Sequence, residues 1–279
     1  MSPDDYVSTY LNLTAFLSDG SSVRVQIKNY LQSGLGDQST RAQQAQQALA
    51  AKLEGELKKQ PADAFEIGGY EYSWPSIRRV FMGKGAPDEI QDVLWLAHRY
   101  KLVTSSTIQT YCDKNLGIDC GGFVANLWAI GHPVGARVEN GWAGFKPRTF
   151  WGLDRSKRRM SASDIAIGDA IIFFSHMKGD DTDLASTDPA KGGEAYHIGA
   201  VAGVNVVGDK LELTVAESSG APATSGGNGV NVRTTSGPFK IGKGLVYMDA
   251  GVNKQKQAVR LYFVGRAGNA ESYGPFGSY

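Results

Sequence analysis

Cysteine is scarce: only Cys112 and Cys120 occur among 279 residues. Two thiols cannot build a disulfide scaffold or a four-cysteine zinc site. Bridging this pair would require the chain between them to turn back on itself. Histidine is nearly as rare, with 4 residues in all. Neither charge dominates, since 29 Lys and Arg face 28 Asp and Glu, for a formal net charge of +1. That balance gives no electrostatic case for a nucleic-acid partner. No apolar run reaches membrane-spanning length, so no membrane partner is expected. No internal repeat is visible. Met1 to Leu13 carries acids and polar residues where a secretory signal needs a basic tip and an apolar stretch. Synthesis in the cytoplasm is therefore expected, with any action in the periplasm or a target cell requiring a non-classical secretion route.

What is present suits a packed protein. Hydrophobic residues make up 42% and charged residues 20% of the chain, enough apolar material for a large core. The 35 glycines favour strands and loops over a helical bundle. Helices are predicted over Asp4–Leu17, Ser22–Leu31 and Thr40–Lys59, the last rich in Ala, Gln, Leu, Lys and Glu. Ile67 to Ser76 reads as aromatic and turn-like, because Trp74-Pro75 fits poorly inside a helix. Pro87-Asp88-Glu89 opens a helix running to Tyr100, Ser105–Tyr111 reads as a short one, and Cys120–Ile130 as an apolar one. Six strands follow: Ala170–Phe174, His197–Val204, Leu211–Ser218, Gly229–Thr234, Leu245–Asp249 and Val259–Arg266. Helices first and an antiparallel meander after make an α+β pattern. Residues 175–196 form a polar insertion between strands. Its Asp180, Asp181, Asp183 and Asp188 lack the spacing of a calcium loop. No metal site and no cofactor is expected.

Chemistry concentrates around Cys120, in Gly117-Ile118-Asp119-Cys120-Gly121-Gly122-Phe123-Val124. A cysteine in the first turn of a helix faces unpaired N–H groups, which stabilise a thiolate or a developing oxyanion. Gly121 and Gly122 would let a substrate carbonyl come close, and Asp119 can cap the helix or add its charge to the site. His197, at a strand edge, can serve as general base for the thiol. Glu217 ends the period-2 series Leu211, Leu213, Val215 and can fix the imidazole tautomer. The alternative for Glu217 is a strand simply leaving the core for water. Trp142 and Trp151, with Phe145 and Phe150, lie between the cysteine helix and the sheet as pocket-lining or core residues.

Over about residues 105–250 the sequence resembles the NlpC/P60 and CHAP families of papain-like enzymes. Asp119-Cys120-Gly121-Gly122-Phe123-Val124 is similar to their Asp-Cys-Ser-Gly-Phe-Val nucleophile motif, with Gly121 in place of serine. Gly168-Asp169, His197-Ile198-Gly199 and Val215-Ala216-Glu217-Ser218 resemble later motifs in the same order. The resemblance implies a papain-like α+β fold, helices packed on an antiparallel sheet, with a helical N-terminal extension. The extension would span 1–104 and the hydrolase domain 105–279. It also implies a cysteine peptidase or amidase with Cys120, His197 and Glu217 catalytic and Asp119, Gly121, Gly122, Trp142 and Trp151 near the substrate. Peptidoglycan peptide is the implied substrate, cut by a secreted toxin or phage lysin, with an immunity or delivery protein as partner. An acyltransferase, a protease or deamidase acting on another amide substrate, and a non-catalytic binding module are the alternatives.

Overall fold

The structure, a computed structural model, describes residues 1–58, 64–128, 146–153, 155–175, 194–223, 227–242, 244–253 and 256–266. The first half is mixed rather than helical. Helix α1 (Pro3–Leu11) runs into a hairpin of β1 (Leu13–Phe16) and β2 (Ser22–Val25). Helix α2 (Gly36–Leu57) precedes a second hairpin, β3 (Ala64–Ile67) with β4 (Tyr70–Ser73). Next come α3 (Trp74–Phe81), α4 (Pro87–Arg99), α5 (Ile108–Asn115), α6 (Cys120–Trp128) and α7 (Pro147–Leu153). The expected helix over Ser22–Leu31 is instead strand β2 and an irregular segment. Val23 and Val25 alternate with the exposed Ser22 and Arg24, a period of two. Trp74-Pro75 opens α3 instead of breaking it. Proline is tolerated there because the first helical N–H groups have no intrahelical partner.

All six strands expected from the sequence form, as β5 (Ala170–Ser175), β6 (Glu194–Val207), β7 (Lys210–Ala223), β8 (Gly227–Gly242), β9 (Leu245–Val252) and β10 (Ala258–Val264). They do not make an open sheet. β10 pairs antiparallel with both β5 and β9 and closes a six-stranded barrel in the order β10-β5-β6-β7-β8-β9. Register shifts at Phe173/Phe174, Val201/Gly203 and Ala258/Arg260 add local twist, which helps the sheet curl onto itself. Alternate residues then face two separate cores. Phe173, Val201, Leu213, Val215, Met248 and Phe263 fill the barrel. Ile172, Phe174, Ile198, Ala216 and Tyr262 face outward to a larger core shared with α1, α4, α6 and α7.

The closed barrel overturns the papain-like expectation, which requires an open sheet flanked by helices. The NlpC/P60 and CHAP resemblance therefore does not extend to the architecture. Of the insertion expected at 175–196, Ser175 belongs to β5 and residues 194–196 to β6, the rest lies outside the described residues, and no described helix is long and apolar enough to cross a membrane.

Two close backbone approaches centre on Gly83, one within the first half and one tying it to α6. Gly83 has φ +74°, and a Cβ there would sit 1.8 Å from the Leu31 carbonyl oxygen. Gly122 packs its bare Cα face on Gly83 and Lys84, where a Cβ would lie 2.6 Å from the Gly83 oxygen. Gly83→Ala should thus cost about 3 kcal/mol, through backbone strain and collision together. Chemical denaturation would read that as a lower midpoint with an unchanged slope.

Candidate functional site

Helix α6 begins at Cys120, and Asp119 is its cap. The Asp119 carboxylate accepts the Gly122 N–H at 2.6 Å. That N–H is therefore occupied by a carboxylate and is not open to a thiolate or an oxyanion. Gly122 serves backbone packing rather than substrate access, for the reason given by its contact with Gly83 and Lys84. Asp119 is buried. Burial pushes its carboxyl above the ordinary range, and Lys84 opposes this with Nζ 2.6 Å from Oδ2. The Asp119 N–H donates to the Gly83 carbonyl at 2.8 Å, and Asn126 Nδ2 donates to the Lys84 carbonyl at 3.1 Å. Asp119 thus fixes where α6 starts and so where Cys120 stands.

The imidazole comes from the barrel. Ala200 pairs with Ala216 across β6 and β7, so Gly199 stands opposite Glu217, and His197 is the next residue along the same face. Gly199 makes the diagonal passable. A Cβ on it would lie 2.8 Å from Val215 and 3.3 Å from the Glu217 Cβ. Glu217 therefore reaches His197, with Nε2 2.9 Å from Oε2. Cys120 is close enough to act on the imidazole electrostatically, and the hydrogen bond among the described residues is the one to Glu217. Phe173, paired with His197, lays its ring 4.9 Å from the imidazole centroid and holds its tilt.

Glu217 is only 2% exposed, so the strand does not exit to solvent there. A buried carboxylate needs partners, and it has two. Besides His197, Arg233 from β8 places Nη2 3.1 Å from Oε2 as a hydrogen-bond donor. Its Nε stands 2.9 Å from Oε1 but off the hydrogen-bond axis. Burial works to raise the Glu217 carboxyl, yet His197 and Arg233 together hold it below its ordinary value. His197 carries the opposite balance. Burial opposes its charge, but interactions with Cys120 and Glu217 outweigh that and raise it from 6.5 to about 10. An imidazolium between two acidic groups is the state this favours at neutral pH. Glu217→Gln should therefore bring the His197 titration midpoint down, by removing a charged partner while burial stays. A pH series of histidine ring NMR signals reads the shift directly.

Of the other residues expected near a substrate, Trp151 is in the core. Its ring packs edge-on against Phe174 and Tyr262, and the Arg158 guanidinium lies 3.9 Å over it. It does not join Cys120 and His197. Trp142 lies outside the described residues, as do His132 and His176. Gly168-Asp169 is a turn and anchor. Asp169 pairs with Arg159 through two 2.7 Å bonds, and Gly168 takes φ +93°. Among the described residues, no group of three or more His, Cys, Asp or Glu side chains could hold a metal ion. Sequence reading missed Arg233 and Lys84. Arg233 shares the strand-face parity of Asn231, which pairs with Glu217, and that register was the one available signal. Lys84 sits in a Gly-Lys-Gly turn that marks nothing locally.

The molecule is thus an α+β protein built around a closed antiparallel barrel, with the His197 imidazole hydrogen-bonded to the buried Glu217 carboxylate across β6 and β7. No family model, curated protein or solved structure matches the chain. The expectation of an NlpC/P60 or CHAP cysteine peptidase, and of a secreted peptidoglycan hydrolase, rested on a resemblance in short motifs. The barrel architecture removes that support, and the peptidase, amidase and murein readings are withdrawn with it.

Proposed function

We propose that Cys120 is a nucleophilic thiol that bonds covalently to a small electrophilic ligand, its proton already held by His197 as an imidazolium that Glu217 sustains. In that step a bond forms from the Cys120 sulfur to the electrophilic carbon while the bond to the ligand's leaving group breaks, and the leaving group departs with that electron pair and can be protonated by His197. The observation that supports the reading is the imidazole held 2.9 Å from a buried, ionised Glu217, with Cys120 among the groups that raise its pKa. A nearby base is what distinguishes a reactive cysteine from an inert one. Cys120 is 6% exposed, which favours a slender ligand over a bulky one.

Cys112 supplies an internal comparison. It is buried on α5, and burial pushes its thiol up to about 12. Native protein treated briefly with iodoacetamide should gain one carboxamidomethyl group. Peptide mapping should place it on Cys120 and leave Cys112 unmodified until the protein is denatured. Equal, slow labelling of both cysteines would sink the proposal.

A further inference from the structure

Helix α6 carries Cys120 at one end and Trp128 at the other, about 12 Å away at the helical rise. At the Trp128 end lies a cleft of about 330 Å³, bounded by the start of α1, the turn before β5, the end of β10 and residues 157–159. Its positive wall comes from a short pairing with β10. Arg158 bridges Val264, the Arg159 N–H donates to the Phe263 carbonyl at 3.0 Å, and the Gly265 N–H donates to the Lys157 carbonyl at 2.8 Å. Side chains alternate along such a pairing. Arg158 turns inward and donates to the Trp151 carbonyl at 3.0 Å, whereas Lys157 and Arg159 line the cleft. Asp169 is the one carboxylate among the described lining residues. Arg159 engages both its oxygens at 2.7 Å, and Oδ2 also accepts the Ala166 N–H at 2.9 Å. Gly265 makes room for that guanidinium, since a Cβ there would lie 2.7 Å from Arg159 Nη2. The charges of Arg159 and Asp169 therefore cancel. Arg266 brings a second guanidinium to the wall and donates to the Trp128 carbonyl at 3.5 Å. Lys157 brings an ammonium that has no ion-pair partner among the described residues.

We propose that this cleft binds the phosphate group of a small phosphomonoester, with Lys157 and Arg266 as its cationic contacts. Three cations against one carboxylate leave two net positive charges on the described lining side chains. A phosphomonoester carries about −1.5 to −2 at neutral pH, which matches them. A half-enclosed, low-dielectric cleft lined by one sign of charge concentrates that potential. Its volume stands at the small end of ligand sites, yet leaves more room than a bare phosphate ion fills. Leu127, Trp128 and Ile167 give the remainder an apolar wall for the organic part. The site stands apart from the thiol, so it does not depend on how Cys120 reacts.

The Trp128 indole N–H, which donates to the Gly168 carbonyl at 2.7 Å at the cleft wall, is the reporter. Its NMR signal should be followed in full-length protein titrated with glycerol phosphate, with sodium chloride holding the ionic strength constant. The signal should shift and saturate. Lys157→Gln should weaken the binding by about tenfold, the size of one charge-assisted hydrogen bond. Glycerol without phosphate should leave the signal in place. A shift that never saturates, or one that chloride alone reproduces, would reduce the effect to general screening and overturn the proposal. Saturation with unchanged affinity in Lys157→Gln would put the anion elsewhere and overturn it too. Saturation by inorganic phosphate with none by glycerol phosphate would overturn the monoester in favour of the free ion. Should Lys157→Gln fail to fold, the comparison of glycerol phosphate with glycerol in wild type decides, and equal shifts from both would overturn the proposal.

Discussion

His197→Ala should slow carboxamidomethylation of Cys120 at neutral pH by about 100-fold, the size of effect a positioned general base commonly supplies. Structural damage should be small by comparison. His197 sits at the end of the barrel face, and Phe173 and Tyr196 beside it retain their own ring contact at 6.4 Å. The graded variant is Glu217→Gln. It keeps the side-chain volume and a hydrogen-bond acceptor for Nε2 but removes the charge that sustains the imidazolium. Its labelling rate should fall between wild type and His197→Ala. Arg233 would then lose its ion pair too, so its effect on stability should be measured alongside. A His197→Ala protein that labels at the wild-type rate would mean the thiol acts without the imidazole, and the His197–Glu217 pair would have no chemical consequence.

The second large effect concerns stability. Lys84 and Asp119 form a buried pair, with side-chain exposures of 10% and 8%. Removing one partner of such a pair leaves a charge in a poorly solvated place. Lys84→Met should cost about 3 kcal/mol and lower the denaturant midpoint with little change in slope. Asp119 also caps α6, so the damage should be concentrated where that helix starts, and Cys120 reactivity should fall together with stability. The double variant Lys84→Met/Asp119→Asn should recover part of the stability, because no unpaired charge remains. Sum-of-singles behaviour in that double-mutant cycle would show that the two side chains do not act as a pair.

Much of the local structure was legible in the sequence, and the reasons are physical. The Ala- and Gln-rich stretch that becomes α2, the Pro-Asp-Glu opening of α4 and the alternating strands all declare themselves within a few residues. Cys120, His197 and Glu217 were also nominated locally, from a glycine-flanked cysteine, a histidine opening a strand, and a charge ending an apolar period-2 series. What stayed hidden depends on contacts between distant segments. Barrel closure rests on β10 pairing with β5 at Val264↔Ala170 and with β9 at Tyr262↔Tyr247. An apolar alternation looks the same in an open sheet and in a closed one. For that reason a run of short motifs in the right order led to the wrong architecture. Lys84 was invisible for a similar reason. It reaches the start of the cysteine helix across the fold, beside Gly83, whose lack of a side chain lets two backbones meet. The helix N–H groups illustrate the same limit from another side. Their availability could be guessed from the sequence, but the capture of the Gly122 N–H by Asp119 could not.

The central claim is that Cys120 and the hydrogen-bonded Glu217 together set the charge of His197. The most direct measurement is the pH titration of the His197 ring by NMR in wild type and in Cys120→Ser. A midpoint far above the ordinary histidine value, near 10 in wild type, that falls when the thiol is replaced would match the account. A midpoint near 6.5 that is the same in both proteins would contradict it.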